Sequence, residues 1–332
     1  MVSILMSVYN GEDYIDTAIK SVLEQTFYAF ELLITNDCST DGTQRIIERY
    51  EDNRIRVFVN DTQKGLTENL VKMAKQAKGE YLARLDADDY CEKHRLQYQY
   101  DYLQRNKDVF MVCSFAAAVG DQNGIVEMPK SSKMIASFLL FQNIIVHSSV
   151  MFRNDKRCYY DLNFRKAQDY ELWDRVISYG FKIAVIPKVL VFYRYHKRQI
   201  TVKRRGEQQY FADRVRMRAL GRLNIKLDND VQKDYLEFLN NGILNDEKNV
   251  DIILKLFESI KTNNCLIKLY DTNALNRTMD NLYFQLEAVA RKNGIVLSKQ
   301  QMKAIRSNTS FSMRLKHKFF PILSKLVQTR GN

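Results

Sequence analysis

Two aspartates separated by one residue, Asp86 and Asp88, are well placed to do chemistry in this sequence. They stand in the segment Arg84–Tyr90, directly after a short apolar run that is typical of a buried strand. In extended backbone, residues i and i+2 point to the same side, so both carboxylates can face one cleft. Adjacent carboxylates repel each other unless a cation lies between them, and a divalent metal that prefers oxygen ligands is the natural cation. The motif by itself also permits an acidic surface turn, since short acidic clusters are common.

The elements before residue 90 position these aspartates beside two other polar loops. The sequence predicts strands at 2–9, 30–35, 55–59 and 81–85, with helices between them at 12–25, 43–50 and 66–77. Strands that alternate with helices imply βαβ units and a parallel sheet, whose ligands bind at the carboxyl ends of the strands. The turn at Tyr9 and Asn10 and the loop that contains Asp37 therefore share an edge with the aspartates. Together they can supply an aromatic ring, a carboxylate and a metal site for a nucleotide diphosphate.

The segments after residue 90 follow a different pattern. The sequence predicts helices at 93–106 and 169–178, strands at 109–114, 182–186 and 189–195, a hairpin at 119–128 and β structure at 146–152. From about residue 202 the apolar spacing is helical, with helices predicted at 208–223, 230–239, 248–260, 269–290 and 299–305. The predicted fold class is α/β, with a mostly parallel sheet flanked by helices, followed by an α-helical C-terminal region. No GxGxxG or GxxxxGK[ST] phosphate loop is present, which disfavours Rossmann cofactor binding and P-loop hydrolysis.

Composition and charge narrow the function classes. The chain has 51 Lys and Arg against 39 Asp and Glu, a formal net charge of +12. The last 45 residues contain ten Lys and Arg but no acidic residue, so the preceding part is nearly neutral and a uniformly basic nucleic-acid coat is disfavoured. The five cysteines include no Cys-x-x-Cys pair, which argues against a zinc knuckle or a disulfide framework and favours a reducing cytosol. The N-terminus lacks the features of a secretory signal, and the longest mostly apolar run, 134–146, is too short to span a bilayer.

Two basic segments have competing interpretations. Residues 310–328 form a basic amphipathic segment interrupted at Pro321, which predicts peripheral contact with an anionic membrane. The alternative is a C-terminal helix packed on the helical region with its cations in water. Within the second segment, 194–222, Lys203 is a candidate for clamping a diphosphate, although a solvated helix face accounts for most of these cations.

On these motifs the sequence resembles the inverting glycosyltransferases of family 2, which have the GT-A fold. Ser7-Val8-Tyr9-Asn10 is similar to the family's Pro-Val-Tyr-Asn turn, with Ser in place of Pro. The segment 36–43 is similar to its nucleotide-base loop, Asp-Asp-Gly-Ser-Thr-Asp-Gly-Thr, and departs from it at Asn36 and Cys38. Asp86-Ala87-Asp88 is similar to its DxD motif.

The resemblance continues to about residue 200. The segment 167–173, Ala-Gln-Asp-Tyr-Glu-Leu-Trp, is similar to the family's Glu-Asp-Tyr-Glu-Leu-Trp, with Gln168 at the position of the Glu and Asp169 retained. The segment 193–201 is similar to the signature Tyr-Arg-x-His-x-x-x-Gln-x-Thr and places His196 at its histidine. Each motif is moderately specific, and five of them in the right order and spacing are strong together.

The resemblance implies roles for individual residues. It implies that Asp169 is the catalytic base and that a divalent metal, Mn²⁺ or Mg²⁺, is the cofactor. The implied donor-binding residues are Tyr9, Asn10, Asp37, Asp86 and Asp88; the implied metal ligands are Asp88, Asp86 and His196; and the candidate acceptor or diphosphate contacts are Asp89, His147 and Lys203. Three of them have a plain structural alternative: Asp169 is also a good helix N-cap, His196 also suits an ion pair with a carboxylate or an exposed position, and His147 also suits a buried position with its hydrogen bonds satisfied.

The resulting expectation is a metal-dependent inverting glycosyltransferase of the EC 2.4 class, with a catalytic domain at 1–202 and a helical region at 203–332. Residues 1–90 are expected to bind the nucleotide sugar, which the resemblance implies is UDP-linked, and residues 91–202 are expected to bind the acceptor and catalyse transfer. The expected acceptor is a saccharide or a polyprenol-linked saccharide in polysaccharide, O-antigen or capsule biosynthesis. The expected location is the cytoplasm, with peripheral contact at the inner face of the membrane and no nucleic-acid partner. The alternatives are a sugar-nucleotide nucleotidyltransferase and a nucleic-acid-binding protein that uses the basic tail.

Overall fold

The computed structural model describes residues 1–195 and 205–309 of the chain. Its first part alternates strands with helices, as the periodicity predicts. The elements are β1 (Val2–Val8), α1 (Ile15–Leu23), β2 (Phe30–Asn36), α2 (Thr43–Ile47), β3 (Ile55–Val59), α3 (Leu66–Gln76) and β4 (Tyr81–Arg84). Strand β1 pairs in parallel with both β2 and β4, and β2 pairs in parallel with β3. This part is therefore the parallel α/β half that was predicted.

The second part of the sheet is mixed. Its elements are β5 (Tyr90–Cys91), α4 (Arg95–Arg105), β6 (Val109–Gly120), β7 (Gly124–Val126), α5 (Ser132–Leu139), β8 (Met151–Arg153), α6 (Gln168–Ser178) and β9 (Lys182–Tyr195), with short 3₁₀ turns at His147–Ser149 and Lys156–Cys158. Within the described residues the strand order is β3-β2-β1-β4-β8-β6-β9-β5, and β7 pairs with β6. Only β6 and β9 are parallel neighbours here; the other pairings of this part are antiparallel.

Two local predictions in this part differ from the structure. The segment predicted as β structure at 146–152 instead begins with the 3₁₀ turn His147–Ser149 and becomes a strand only at Met151. The two strands predicted at 182–186 and 189–195 are one strand, β9. In β9 the partner of Ser114 is Ile186 and the partner of Phe115 is Val189, so Pro187 falls in a bulge between them. A bulge accommodates the proline because it has no N–H to donate to the ladder.

The core of this α/β part lies on the sheet between its helices. Helix α1 buries Ile15, Ala18, Ile19 and Val22, whose spacing of three and four places them on one helix face. Strand β2 is buried along its whole length, as expected for a strand covered on both faces. The apolar packing fixes the positions of the strands, and therefore of the loops that follow them.

The C-terminal part is helical, as predicted. Its helices are α7 (Arg205–Arg222), α8 (Asn229–Asn241), α9 (Glu247–Ile267), α10 (Thr272–Lys292) and α11 (Lys299–Ser307). The side chains of Asp228, Asp246, Asp271 and Ser298 accept backbone N–H groups at the starts of the last four helices. Such N-caps satisfy donors that have no partner within the helix. None of the helices described here combines the length and the apolar character needed to cross a membrane.

The described chain divides into two compact units. The first comprises residues 1–135 and 143–212, and the second comprises residues 136–142 together with those from 213 onward. The second unit thus includes a short piece of chain that precedes Asn143. All of the contacts described in the next subsection lie within the first unit.

Candidate active site

Three polar loops meet at one edge of the parallel half-sheet. Because β1 pairs in parallel with β2 and β4, the residues that follow these three strands emerge side by side. Tyr9 and Asn10 follow β1, Asp37 follows β2, and Asp86 and Asp88 follow β4. Tyr9 is about half exposed, at 48%. The structure thus brings together the residues that the sequence predicted at this edge.

The first two loops are joined by hydrogen bonds around Asn10. Its Oδ1 accepts the N–H of Thr40 at 2.8 Å, and its own N–H donates to Ser39 Oγ at 3.0 Å. Asn10 has a φ of +51°, a region that asparagine tolerates better than most residues. Asn10 therefore connects the turn after β1 to the loop after β2, which provides a structural role for it in addition to the predicted donor contact.

Asp37 is buried and held in its charged form. Its carboxylate accepts the backbone N–H groups of Lys64 and Gly65, at 2.8 and 2.9 Å, and the side-chain amide of Asn60 at 2.9 Å. Burial acts to raise the pKa of Asp37, but these donors lower it overall. Asp37 is therefore an anion that fixes the backbone directly before α3 beside the loop that follows β2.

Asp86 is paired with a buried arginine from its own strand. The guanidinium of Arg84, which is fully buried, forms an ion pair with Asp86, whose side chain is 28% exposed. Ser148 Oγ accepts the N–H of Asp86 at 3.0 Å and lies 3.1 Å from its Oδ2. Burial acts to raise the pKa of Asp86, but the charge of Arg84 lowers it overall. Asp86 is thus maintained as a carboxylate.

Asp89 lies behind the two aspartates and is only 1% exposed. Its carboxylate contacts Ser148 and accepts the N–H of Arg194 at 2.9 Å. Arg194 also donates from Nε to the carbonyl of Asp88 at 2.9 Å, and its guanidinium lies over the ring of Tyr14. Burial and the charges of Asp88 and Asp86 raise the pKa of Asp89 well above its usual value. These contacts favour a supporting role for Asp89 over a direct contact with acceptor or diphosphate.

The carboxylate oxygens of the loop that follows β4 are ligands that suit a hard divalent cation. Asp86 and Asp88 are carboxylates, and their charges add to burial in raising the pKa of Asp89, a repulsion that a cation would relieve. Among residues 1–195 and 205–309, no three acidic, histidine or cysteine side chains are grouped so that they alone could hold a metal ion. Mg²⁺ in nucleotide sites is commonly bound by one or two carboxylates together with phosphate oxygens and water. The carboxylates present are of the type that fits such an ion.

Asp169 lies in the first turn of α6 and is partly buried. Asn143 Nδ2 donates to its Oδ2 at 2.7 Å. Burial raises the pKa of Asp169, and the neutral donors around it, the N–H of Tyr170 and the Asn143 amide among them, offset only part of that shift. A carboxylate with a raised pKa is more basic, which is the property that a general base requires.

The segment 143–149 runs between Asp169 and the loop that contains Asp86 and Asp88. At one end Asn143 contacts Asp169, and at the other Ser148 contacts Asp86. Between them His147 Nε2 lies 2.8 Å from the hydroxyl of Tyr160, and its ring stands edge-on to Trp173. Burial and the charge of Arg84 lower the pKa of His147 to about 3, so its imidazole is neutral near pH 7. These contacts indicate that His147 supports this segment.

Four residues of this site were not singled out as site residues from the sequence: Arg84, Asn143, Ser148 and Arg194. Arg84 is the last residue of β4 and precedes Asp86 by two residues, and a charged residue in an apolar strand was the signal that could have indicated it. Asn143 and Ser148 flank the predicted site residue His147, but no local pattern gives their partners. His196, Lys203 and the segment 310–328 lie outside the residues that the structure describes.

Comparison with known proteins identifies the family. Residues 3–160 match Glycosyl transferase family 2. The chain is also 30% identical over 179 residues to the UDP-Glc:alpha-D-GlcNAc-diphosphoundecaprenol beta-1,3-glucosyltransferase WfgD of Escherichia coli, a match that covers 54% of this chain and 70% of WfgD. The chain belongs to glycosyl transferase family 2. Membership of this family confirms the prediction that the protein is an enzyme, a glycosyltransferase. Neither the nucleotidyltransferase nor the nucleic-acid-binding alternative is supported.

Solved structures of other glycosyltransferases share the fold. TarS of S. aureus in complex with UDP-GlcNAc superimposes with a TM-score of 0.56 at 18% identity, covering 93% of each chain. The mannosyltransferase PcManGT of Pyrobaculum calidifontis, in complex with GDP-Man and Mn²⁺, has a TM-score of 0.54 at 17% identity and covers 88% of this chain and 86% of its own. At these identities the likeness shows the fold alone, which confirms the predicted GT-A-type α/β architecture with a helical C-terminal region.

Proposed function

We propose that this glycosyltransferase moves a sugar from a UDP-sugar to a hydroxyl group of a lipid-linked saccharide, with inversion at the anomeric carbon. The observation that carries the proposal is the placement of Asp169. Its carboxylate is held by neutral donors and is connected through residues 143–149 to the loop of Asp86 and Asp88. A single displacement requires a basic carboxylate near the acidic sheet edge at which, in this proposal, the metal and the nucleotide bind.

The donor would lie across the edge formed by the three strand ends. In this proposal Tyr9 stacks on the base, Asn10 and Asp37 fix the nucleoside loop, and Asp86 approaches the ribose. The exposed ring of Tyr9 and the network that orders Asn10 and Asp37 support these roles. UDP as the nucleotide is supported by the family resemblance and by the UDP-glucose donor in the name of WfgD.

We propose that Mn²⁺ or Mg²⁺ is held by Asp88, with Asp86 and His196 as further ligands. When bound, the ion neutralises negative charge that develops on the diphosphate as the sugar leaves. The family resemblance supports Asp88 as the principal ligand, and the position of Asp86 directly after β4 supports it as a further ligand at the same edge. Lys203 remains a proposed diphosphate contact, and the Mn²⁺ bound to PcManGT supports a divalent ion in this fold.

Asp169 would act on the acceptor. The acceptor oxygen attacks the anomeric carbon from the face opposite the diphosphate, the carbon–oxygen bond to the diphosphate breaks, and the acceptor proton passes to the Asp169 carboxylate. Because bond formation and bond cleavage occur on opposite faces in one displacement, the anomeric configuration inverts. The leaving nucleoside diphosphate retains the bonding electrons.

We further propose that the enzyme works in surface-polysaccharide assembly at the inner face of the cytoplasmic membrane. The diphosphoundecaprenol-linked acceptor in the name of WfgD supports a lipid-linked substrate. The basic segment 310–328 would hold the enzyme against anionic lipid.

Replacing Arg314, Lys316 and Lys318 with Gln tests the membrane contact. Each basic residue near an anionic surface contributes about 1 kcal/mol, so the triple variant should bind phosphatidylglycerol vesicles about 100-fold more weakly. Cosedimentation measures this, with phosphatidylcholine vesicles as the control. Equal binding of both proteins to anionic vesicles would contradict the membrane contact and leave the transferase proposal intact.

A donor screen tests the proposed reaction. The full-length enzyme is incubated with UDP- and GDP-sugars, a lipid-diphosphate saccharide and Mn²⁺, and nucleoside diphosphate release is measured. We expect release with a UDP-sugar, dependence on the acceptor, and loss of activity in EDTA that added Mn²⁺ restores. The anomeric configuration of the product, read by NMR, must be opposite to that of the donor. A product with retained configuration would overturn the inverting mechanism.

A further inference from the structure

Asn143 is fixed on both sides of its side-chain amide. Its Oδ1 accepts the backbone N–H of Ile145 at 3.1 Å, and its Nδ2 donates to Asp169 Oδ2 at 2.7 Å. Because the oxygen is engaged by an N–H donor, the amide cannot rotate by 180° without losing both bonds. The side chain of Asn143 therefore presents an N–H group, and not an oxygen, to Asp169.

The turn before α6 fixes the other side of the contact. Ala167 adopts a left-handed backbone, with a φ of +50°, directly before the helix begins at Gln168. That conformation is unfavourable for alanine and sets the direction in which the first helical turn leaves the loop. Asp169 thus reaches Asn143 from a defined helix end, and the two residues meet across 26 positions of sequence.

We infer that Asn143 is a positioning residue for Asp169, one that orients the base carboxylate by a neutral hydrogen bond without neutralising it. The inference rests on the proposed function, since it gives Asp169 the role of the base. A lysine or arginine at this position would also orient the carboxylate, but its charge would favour the ionised form and make Asp169 a weaker base. A carboxylate at this position would repel it. A neutral amide orients the carboxylate and offsets only part of the rise in its pKa.

Other titratable groups act on Asp169 and define its surroundings. The negative charge of Asp86 contributes to the raised pKa of Asp169. Tyr160, whose pKa is raised by burial, is neutral near pH 7 and is hydrogen-bonded to His147, which is also neutral. The environment of Asp169 therefore makes proton uptake favourable, and the direct partner Asn143 determines the orientation of the accepting oxygen.

The substitution Asn143→Asp tests this role because it keeps the shape of the side chain and replaces the N–H donor that faces Asp169 with an oxygen, which cannot donate when ionised. The new carboxylate can still accept the N–H of Ile145, but its second oxygen faces Asp169 Oδ2 where the amide N–H stood. Two carboxylates in contact share a proton, so the apparent pKa values of the pair separate and the upper one rises. The form with Asp169 available as a base then appears only at higher pH.

The experiment measures kcat and the donor KM of the full-length enzyme as a function of pH, for wild type and for Asn143→Asp. We expect the acid limb of the kcat profile to move to higher pH by at least about one unit, with activity recovering at the alkaline end. The donor KM should stay within about twofold, because Asn143 contacts the base and not the donor site. Asn143→Ala should lower kcat and move the limb upward by less than Asn143→Asp does, because it removes a donor that lowers the pKa of Asp169 but adds no second carboxylate.

The matched control is Asn163→Asp. Asn163 is exposed and its Nδ2 also donates to an aspartate, Asp161, at 2.9 Å. This variant carries the same substitution beside the same kind of partner, and its pH profile should be that of wild type. A loss of kcat in Asn143→Asp that is equal at every pH, or a wild-type profile, overturns the inference.

Asp169→Asn separates the two claims. If Asp169→Asn retains wild-type transfer, the proposed function itself is wrong. If Asp169→Asn is inactive while the limb of Asn143→Asp does not move, only the role of Asn143 is refuted. UDP binding measured by calorimetry on each variant confirms that the donor site has folded.

Discussion

Two aspartates of the same unit lie in opposite electrostatic environments. Asp86 follows β4 and is paired with the buried guanidinium of Arg84, so its pKa is lowered although burial acts in the other direction. Asp169 begins α6 among neutral donors, so burial dominates and its pKa is raised. One carboxylate is kept as an anion, and the other is made ready to take a proton.

The difference teaches that the residue type alone does not decide the role. A carboxylate that forms an ion pair with a buried cation stays ionised over a wide pH range, which suits a group that faces a metal ion or a ribose. A carboxylate supported only by neutral hydrogen bonds is a stronger base. The partner side chain, arginine in one case and asparagine in the other, makes the distinction.

The largest effect is expected at the acidic loop. Asp88→Ala removes the principal ligand of the proposed metal, whose charge stabilisation amounts to several kcal/mol, so kcat/KM should fall about 10²–10³-fold. Nucleoside diphosphate release over a range of Mn²⁺ concentrations measures it. Asp108→Asn, an exposed residue paired with Lys182, serves as the control and should behave as wild type. A variant of Asp88 with wild-type Mn²⁺ dependence would show that the loop does not hold the ion.

Arg84→Met should damage stability more than any change at Asn143. Removing one partner of a buried ion pair costs about 3 kcal/mol, because the remaining charge is left uncompensated. Asn143→Ala removes a neutral hydrogen bond, which costs about 1 kcal/mol. Urea denaturation at pH 7 in EDTA measures both values. If Asp86→Asn added to Arg84→Met does not restore part of the stability, the two side chains are not coupled as described.

The last comparison includes the smallest effect, a change in the free energy of unfolding. It is the most specific test, because the change should have opposite signs for the two aspartates. The pKa of Asp86 is lower in the folded state than its usual value of 3.8, which stabilises the protein at pH values above 3.8. That stability is lost as pH falls through the folded-state pKa. The raised pKa of Asp169 acts in reverse: the folded state binds its proton more tightly, and stability is lost as pH rises through the folded pKa.

At pH 7 in EDTA, Asp86→Asn should therefore destabilise the protein by about 3 kcal/mol, because it leaves the buried guanidinium of Arg84 without its partner, whereas Asp169→Asn should stabilise it by about 1 kcal/mol. Urea unfolding of the two variants beside wild type provides the values. Both differences should shrink as pH falls through the folded-state pKa of each aspartate, because the side chain is then protonated in the folded as well as the unfolded chain. Effects of the same sign at pH 7 would contradict the contrast between the two sites.

The sequence predicts the acidic edge well because its geometry follows from local rules. The βαβ order brings the ends of β1, β2 and β4 together. The predicted strand alternation does not extend to Asp88, because β4 ends at Arg84 and the N–H of Asp89 donates to the carbonyl of Asp86 at 3.1 Å, which closes a turn there. The five motifs in their observed order were sufficient to assign the family, which the match over residues 3–160 confirms. These features depend on periodicity and on connections between neighbouring elements.

The contacts around Asp169 could not be predicted in the same way. Asn143 meets Asp169 across a loop of irregular backbone, and the 3₁₀ turn at His147–Ser149 replaced a predicted strand. The β-branched and apolar residues of 146–152 have strand propensity, but tertiary contacts of His147 and Ser148 determine the backbone there. Such contacts between distant residues leave no periodic signal in the sequence.

The transfer activity of Asp169→Asn tests the central claim most directly. The substitution keeps the size of the side chain and removes the base, so we expect kcat to fall about 10²–10⁴-fold while UDP-sugar binding, measured by calorimetry, stays near wild type. Transfer at the wild-type rate would contradict the assignment of Asp169 as the base of this glycosyltransferase.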